Sequence, residues 1–151
     1  MNSHVHLIIN SFKMNILNLG SGDNPMVSMI NIDIRLLKDI DVVANVNELP
    51  FPLQCFDKVF SHNPFHYNPV CEEVAEVLKN GGTLIVTGQP RNPFFNQFLK
   101  HISIEELMKL GFELLEQGPI EPSLIVGQPK STTGKPLSTK RMVQAILRKM
   151  I

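Results

Sequence analysis

Apolar and polar residues along this chain first fall into short strand-like runs, and helical spacing sets in only later. Met14 to Leu19 places Ile16, Leu17 and Leu19 in the first run. Ile30 to Ile34 is a second, and Ile40 to Ala44 a third that is rich in β-branched residues. Phe56 to Ser61 is predicted as a fourth strand, entered from the turn-forming Leu49-Pro50-Phe51-Pro52. The period then changes. Val70, Val74, Val77 and Leu78 recur at helical spacing, with Asn68 as a cap, Pro69 at the first helical position and Glu72 and Glu73 at the positive end. Asn80-Gly81-Gly82 stops that helix, and Thr83 to Thr87 reads as a buried fifth strand. Ser103 to Glu106 is a capping box, with Ile102 and Leu107 as its hydrophobic staple, opening a helix that ends at Gly111. Phe112 to Glu116 and Ser123 to Gly127 are expected to pair as a final antiparallel hairpin.

This order predicts an α/β fold: a mainly parallel sheet, a C-terminal antiparallel hairpin, and reduced helices on one face. Only seven residues, Asp23 to Met29, separate Gly22 from the second strand, too few for a helix with its connections. Residues 1–129 are expected to form one domain. Residues 130–137 read as a linker, and 139–151 as a basic amphipathic helix with Met142, Val143, Ile146, Leu147 and Met150 on one side. That stripe is expected to dock on this body or on a second copy in a homodimer.

The chemistry concentrates where the first two strands end. Leu17-Asn18-Leu19-Gly20-Ser21-Gly22 runs an apolar strand into a turn with two glycines, which lets a ligand approach the main chain closely. Asp33, with Ile34 beside it, ends the next strand, where a carboxylate can take both hydroxyls of a ribose. A dinucleotide site would need a third glycine, but Pro25 stands three residues after Gly22. No Gly-Lys-Ser/Thr follows, so a phosphate-binding loop is absent as well. An adenosine-containing cofactor without phosphates, S-adenosylmethionine, suits this loop best.

Composition narrows the partners. The 151 residues, 43% of them hydrophobic, are enough for one real core. Net charge is zero, yet all six basic residues from Lys130 onward lack acidic neighbours in the tail. Residues 1–129 then hold eight Lys/Arg against fourteen Asp/Glu, a balance of −6, which argues against broad nucleic-acid binding, while the basic tail leaves a small reservation; a small-molecule substrate is expected. Cys55 and Cys71 give neither a metal spacing nor a disulfide framework, and no metal site is expected. His4 and His6 sit in an N-terminal segment read as a strand edge or a loose arm. No signal peptide or spanning segment is read, so a cytoplasmic protein with no membrane attachment is expected.

With the elements placed, the order of motifs resembles class I S-adenosylmethionine-dependent methyltransferases, most nearly the small type-11-like group. The resemblance rests on Leu17 to Pro25, Asn31-Ile32-Asp33, Leu49-Pro50-Phe51-Pro52 with Phe56-Asp57, Ser61-His62 with His66, and Leu78-Lys79-Asn80-Gly81-Gly82-Thr83-Leu84. It covers roughly residues 14–127 and implies a Rossmann-like fold. It implies that the backbone around Asn18, Leu19, Gly20, Ser21 and Gly22 lies against the cofactor and that Asp33 holds its ribose. By the same resemblance, Asn45 and Val46 flank the adenine, and Ser61 and His62 line the methionine end beside the substrate. Two positions depart from the pattern: Asn18 stands where many members carry an acid, and Phe65 replaces a usual Glu.

Methyl transfer from a sulfonium needs a positioned, desolvated nucleophile, and a base only where the acceptor is protonated. His62 and His66 are the candidate bases, since histidine titrates nearest neutral pH, with hydrogen bonding inside the loop as the alternative. Tyr67, the single tyrosine, is a candidate for the substrate pocket, or for packing. Asn63-Pro64-Phe65 is also similar to the N-P-P-Y/F signature of methyltransferases acting on amide or adenine nitrogens, which makes Asn63 a candidate substrate contact. A cofactor-binding module without turnover is the competing functional reading.

Overall fold

The structure, a computed structural model, describes residues 14–20, 29–120, 133–136, 138 and 141–151. Its strands are β1 (Ile16–Leu19), β2 (Ile30–Asp33), β3 (Val42–Val43), β4 (Phe56–His62), β5 (Leu78–Gly88), β6 (Phe112–Pro119) and β7 (Val143–Lys149). Two α-helices, α1 (Glu72–Val77) and α2 (Ile104–Lys109), accompany a 3-10 turn at Val46–Glu48 and a wide π-type helical segment at Phe94–Leu99. The seven strands form one sheet in the order β3-β2-β1-β4-β5-β7-β6. β1 to β5 pair in parallel, and β7 runs antiparallel to both its neighbours.

Alternation sorts the strand residues onto two faces. Leu17, Leu19, Ile32, Val59, Leu84, Val86, Ala145 and Leu147 share the core with Val74 and Val77 of α1 and Leu107 of α2. Both α-helices therefore cover the same face. On the opposite face, laterally paired Phe60, Ile85 and Ile146 are only half-buried. The predicted mainly parallel sheet with sparse helical cover matches this arrangement.

Several elements differ from expectation. The tail is a strand, β7, inserted between β5 and β6, and residues 143–149 form no amphipathic helix. Apolar residues on both sides of Val143–Lys149 imitate a helical stripe, but ladder hydrogen bonds to two neighbours and full burial of Ala145 and Leu147 decide for the strand. With Met142 fully buried and Ile146 in the sheet, the expected dimer-forming helix face does not exist. The antiparallel pairing of Phe112–Pro119 is present, but its partner is β7; Ser123 to Gly127 lies outside the described residues. The helix expected from Asn68 starts only at Glu72, because Asn68 spends its side chain on the nearby Val70 N–H (2.9 Å) and Cys71 becomes the N-cap. Leu78 already belongs to β5. The capping box of α2 forms as predicted, with Ser103 accepting from Glu106 N–H at 3.1 Å.

Candidate functional site

Strand order reverses direction between β1 and β4: one half of the sheet runs 1-2-3 outward, the other starts with 4-5. In open α/β sheets that reversal leaves a crevice at the carboxyl ends of the strands, where ligands bind. The residues bordering it are Leu19 and Gly20 after β1, Asp33 at the end of β2, Ser61 to Asn63 at the end of β4, and Thr87 and Gly88 at the end of β5. Of the candidates from the sequence, Leu19, Gly20, Asp33, Ser61, His62 and Asn63 lie at this edge. Ser21 and Gly22 lie outside the described residues.

Gly20 has φ of +62°, a left-handed conformation that L side chains rarely adopt, and a Cβ there would stand 2.5 Å from the Tyr67 phenol oxygen. The Tyr67 hydroxyl donates to the Leu19 carbonyl (3.0 Å) and is 2.7 Å from Ser61 Oγ. Ser61, fully buried, thus has its hydroxyl engaged by Tyr67. Burial pushes the Tyr67 phenol above its ordinary pKa, so it stays neutral.

Asp33 is buried, and its Oδ1 accepts from Arg35 N (2.9 Å) and Arg35 Nε (3.1 Å). Arg35, a residue the sequence reading missed, therefore shares the carboxylate with whatever binds there. Its signal was available: a cation two residues beyond a strand-terminal acid. Ile34 is exposed next to that carboxylate. Asn18, which stands where an acid was expected, donates from Nδ2 to Asn31 Oδ1 (2.9 Å), and Asn31 N–H in turn donates to Asp41 Oδ2 (2.7 Å). Asn45 caps the 3-10 turn by accepting from Asn47 N–H at 2.9 Å, and Val46 packs on the core.

His62 stacks on Phe60 with ring planes 9° apart, and its Nδ1 is hydrogen-bonded to Thr87 Oγ1. Its Nε2 is buried without a partner. Burial pulls its pKa down to about 4, so the ring is neutral at pH 7. A neutral, desolvated ring sets His62 apart from the exposed His66, the other candidate base. His66 is exposed, with φ of +66° and an edge-on contact to Phe65.

Asn63 is also left-handed, at φ of +49°. Its Oδ1 and the Pro64 carbonyl both accept from Asn92 Nδ2, at 2.9 and 3.0 Å. Asn92, buried between two prolines in sequence and not singled out by any motif, ties the loop after β4 to the loop after β5. Among the described residues no cluster of three or more His, Cys, Asp or Glu is placed to hold a metal. No helix among them is long and apolar enough to cross a membrane.

The requirements of S-adenosylmethionine meet these residues well. A buried carboxylate suits two ribose hydroxyls, and the orphaned His62 Nε2 marks unfilled polar capacity at the same edge.

Residues 22–86 match a family described as a methyltransferase domain. Among solved structures, the chain is similar to an antibiotic-related methyltransferase, with 18% identity, 98% of this chain and 94% of that one covered, and a TM-score of 0.68. It is also similar to the 16S rRNA methyltransferase KamB, with 12% identity, coverage of 100% and 94%, and a TM-score of 0.68. A third likeness is to a SAM-dependent methyltransferase from Methanosarcina mazei, with 15% identity, coverage of 100% and 98%, and a TM-score of 0.55. No curated protein matches the chain. At such identities the likenesses establish the fold. Residues 22–86 are thus similar to a methyltransferase domain, and the chain as a whole shares the fold of the methyltransferases above.

Proposed function

We propose that the chain transfers the methyl group of S-adenosylmethionine to a small-molecule acceptor bound over the carboxyl ends of β1, β4 and β5. The observation that carries this reading is the buried Asp33 carboxylate beside the left-handed Gly20, at the point where strand order reverses. When bound, the cofactor supplies an electrophilic methyl on a sulfonium, a good leaving group. The protein's own work would be to place the acceptor's lone pair towards that methyl and to keep water away from it. Asp33 holds the ribose hydroxyls, the Leu19–Gly20 backbone lines the amino-acid part, and Asn45 and Val46 border the adenine. His62 contributes a neutral imidazole beside the methionine end, and His66 is the candidate base for an acceptor that must lose a proton. The acidic balance of residues 1–129 supports a small acceptor over a polyanion.

A second reading has its own support. Asn63 Oδ1 and the Pro64 carbonyl converge on one amide nitrogen, that of Asn92. An acceptor amino group could take the same pair of carbonyls, which makes N-methyl transfer to an amide or nucleobase the alternative. KamB, one of the structural likenesses, is a 16S rRNA methyltransferase. A binding module without turnover is the remaining reading.

Calorimetry with S-adenosylmethionine and its demethylated product tests the site. Asp33→Ala removes two hydrogen bonds to a charged acceptor, each worth about 1.5–3 kcal/mol, and is expected to weaken affinity at least tenfold. Unchanged affinity in that variant refutes the site. A radiolabelled methyl assay across small amines, acids, thiols and structured RNA then separates the acceptor classes, and cofactor binding without any labelled product supports the module.

A further inference from the structure

We propose that Tyr67 is a positioning residue for the cofactor, a phenol bolt that fixes the end of β1 to the end of β4 and so sets where the Gly20 backbone lies. The inference rests on the cofactor site proposed above and adds a residue that no part of that reading requires.

Three contacts carry it. The phenol's single proton goes to the Leu19 carbonyl at 3.0 Å, so the 2.7 Å contact with Ser61 has the serine hydroxyl donating to the phenol oxygen. The relay Ser61 O–H to Tyr67 O–H to Leu19 C=O thus crosses from β4 to β1 with every proton assigned. The ring also lies where a Gly20 side chain would be, with phenol carbons 2.9 Å from an ideal Cβ. Tyr67 therefore closes one side of the Gly20 turn.

The route by which Tyr67 arrives is itself unusual. Asn63 and His66, both non-glycine residues, hold left-handed conformations on the way from β4 to the tyrosine. Strain of that kind persists only where surrounding contacts over-determine it. Here Asn63 is held by its N–H to the Thr87 carbonyl and by Asn92, and the segment's far end is held by the Tyr67 bolt. The loop on the acceptor side and the turn on the cofactor side thereby share one side chain.

The test uses the full chain and S-adenosylhomocysteine as probe, read by calorimetry and by thermal melting. Tyr67→Phe keeps the ring and removes the hydroxyl, leaving the Leu19 carbonyl free to shift; we expect about tenfold weaker binding. Ser61→Ala is expected to weaken binding by a smaller factor in the wild-type background and to add almost nothing in the Tyr67→Phe background, because both act through the same oxygen. Hydrogen exchange supplies a readout that simple destabilisation would not move: bound probe is expected to protect residues 63–67 in the wild type and to lose that protection in Tyr67→Phe. A Tyr67→Phe protein that melts lower but binds with wild-type affinity overturns the proposal, as does full additivity of the two substitutions. If Asp33→Ala also binds normally, the site itself fails; if Asp33→Ala loses binding while Tyr67→Phe does not, only the bolt fails.

Discussion

The two ends of the sheet are held together by different means. β3, β2 and β1 are two to four residues long, whereas β5, β7 and β6 run for seven to eleven. On the long-strand side, backbone ladders supply the cohesion, and β7 is bonded along both edges. Its side-chain ties, Gln144 to Glu116 (3.0 Å) and Arg148 Nε to Glu113 (2.6 Å), are exposed. On the short-strand side, polar side chains do what ladders cannot. Asn15 N–H donates to Asp57 Oδ2 (2.9 Å), Asn18 bonds Asn31, and Arg35 clamps Asp33. Exposed ion pairs contribute little, but buried polar groups must keep their partners. The difference teaches where ligand chemistry can arise: a buried carboxylate, Asp33, and the buried amides Asn18 and Asn31 stand on the short strands, beside a half held by long ladders.

The largest effect is therefore expected from removing residues 141–151. This deletes β7 and with it the neighbour of both β5 and β6. Had the tail been a surface helix, truncation would leave a folded, cofactor-binding core. As a central strand, its loss is expected to yield insoluble or unfolded protein, seen by circular dichroism. In the full chain, Leu147→Ala, at a fully buried position, is expected to cost about 2–5 kcal/mol in chemical denaturation.

Two left-handed glycines allow the same contrast at single-residue scale. Gly81 on the long-strand side has φ of +79° with nothing within 4 Å of an added Cβ, whereas the Gly20 Cβ would meet the Tyr67 oxygen at 2.5 Å. Gly81→Ala is expected to cost only backbone strain, about 1–2 kcal/mol. Gly20→Ala adds a clash with a locked ring and is expected to cost several kcal/mol by urea denaturation and to abolish cofactor binding. Equal losses in the two variants would show that Tyr67 yields freely.

What the sequence made legible follows the same division. The parallel strands, the capping box and the glycine–aspartate pair were readable because each depends on neighbouring residues: a run of β-branched side chains, a Ser103-to-Glu106 spacing, a carboxylate at a strand end. β7 was not, since its seven residues gain their partners from β5 and β6, 24 or more positions away in sequence. The role of Asn92 was hidden for a similar reason: it is an ordinary surface-type residue until the fold aims it at Asn63 and Pro64, 29 and 28 positions away. Arg35, by contrast, stands two residues from Asp33, and its pairing was legible. His62 was singled out for its type, but burial beside Phe60 and Thr87 changes its chemistry, and burial is not visible in one sequence.

His62 yields the next prediction. Its folded pKa, about 4, lies below the ordinary value of 6.5, so the unfolded chain binds the extra proton between those two pH values. Stability is then fully present above pH 6.5 and falls as pH drops towards 4, by up to about 3 kcal/mol. His62→Gln is expected to be less stable than the wild type at pH 7, through loss of the Phe60 stack, and to lose less on acidification. Denaturant midpoints at pH 7, 5.5 and 4.5 read this directly. Parallel slopes for the two proteins would show that His62 titrates normally.

The smallest expected effect lies at the first turn of α2. Ser103 accepts from Glu106 N–H (3.1 Å), and the Glu106 carboxylate accepts from Ser103 N–H (3.3 Å), both exposed to solvent. Removing a cap of this kind costs about 1 kcal/mol, since water can replace part of each bond. Only Leu107 of this six-residue helix is buried, so little tertiary packing compensates for a frayed start. Ser103→Ala is expected to lower stability by about that amount while leaving S-adenosylhomocysteine affinity unchanged. Ser103→Asp, which keeps an acceptor at the N-cap and adds a charge favourable to the helix end, is expected to restore stability. An affinity loss in Ser103→Ala would mean that α2 communicates with the crevice through Leu107 and the core, and that the two halves of the sheet are less independent than their bonding suggests.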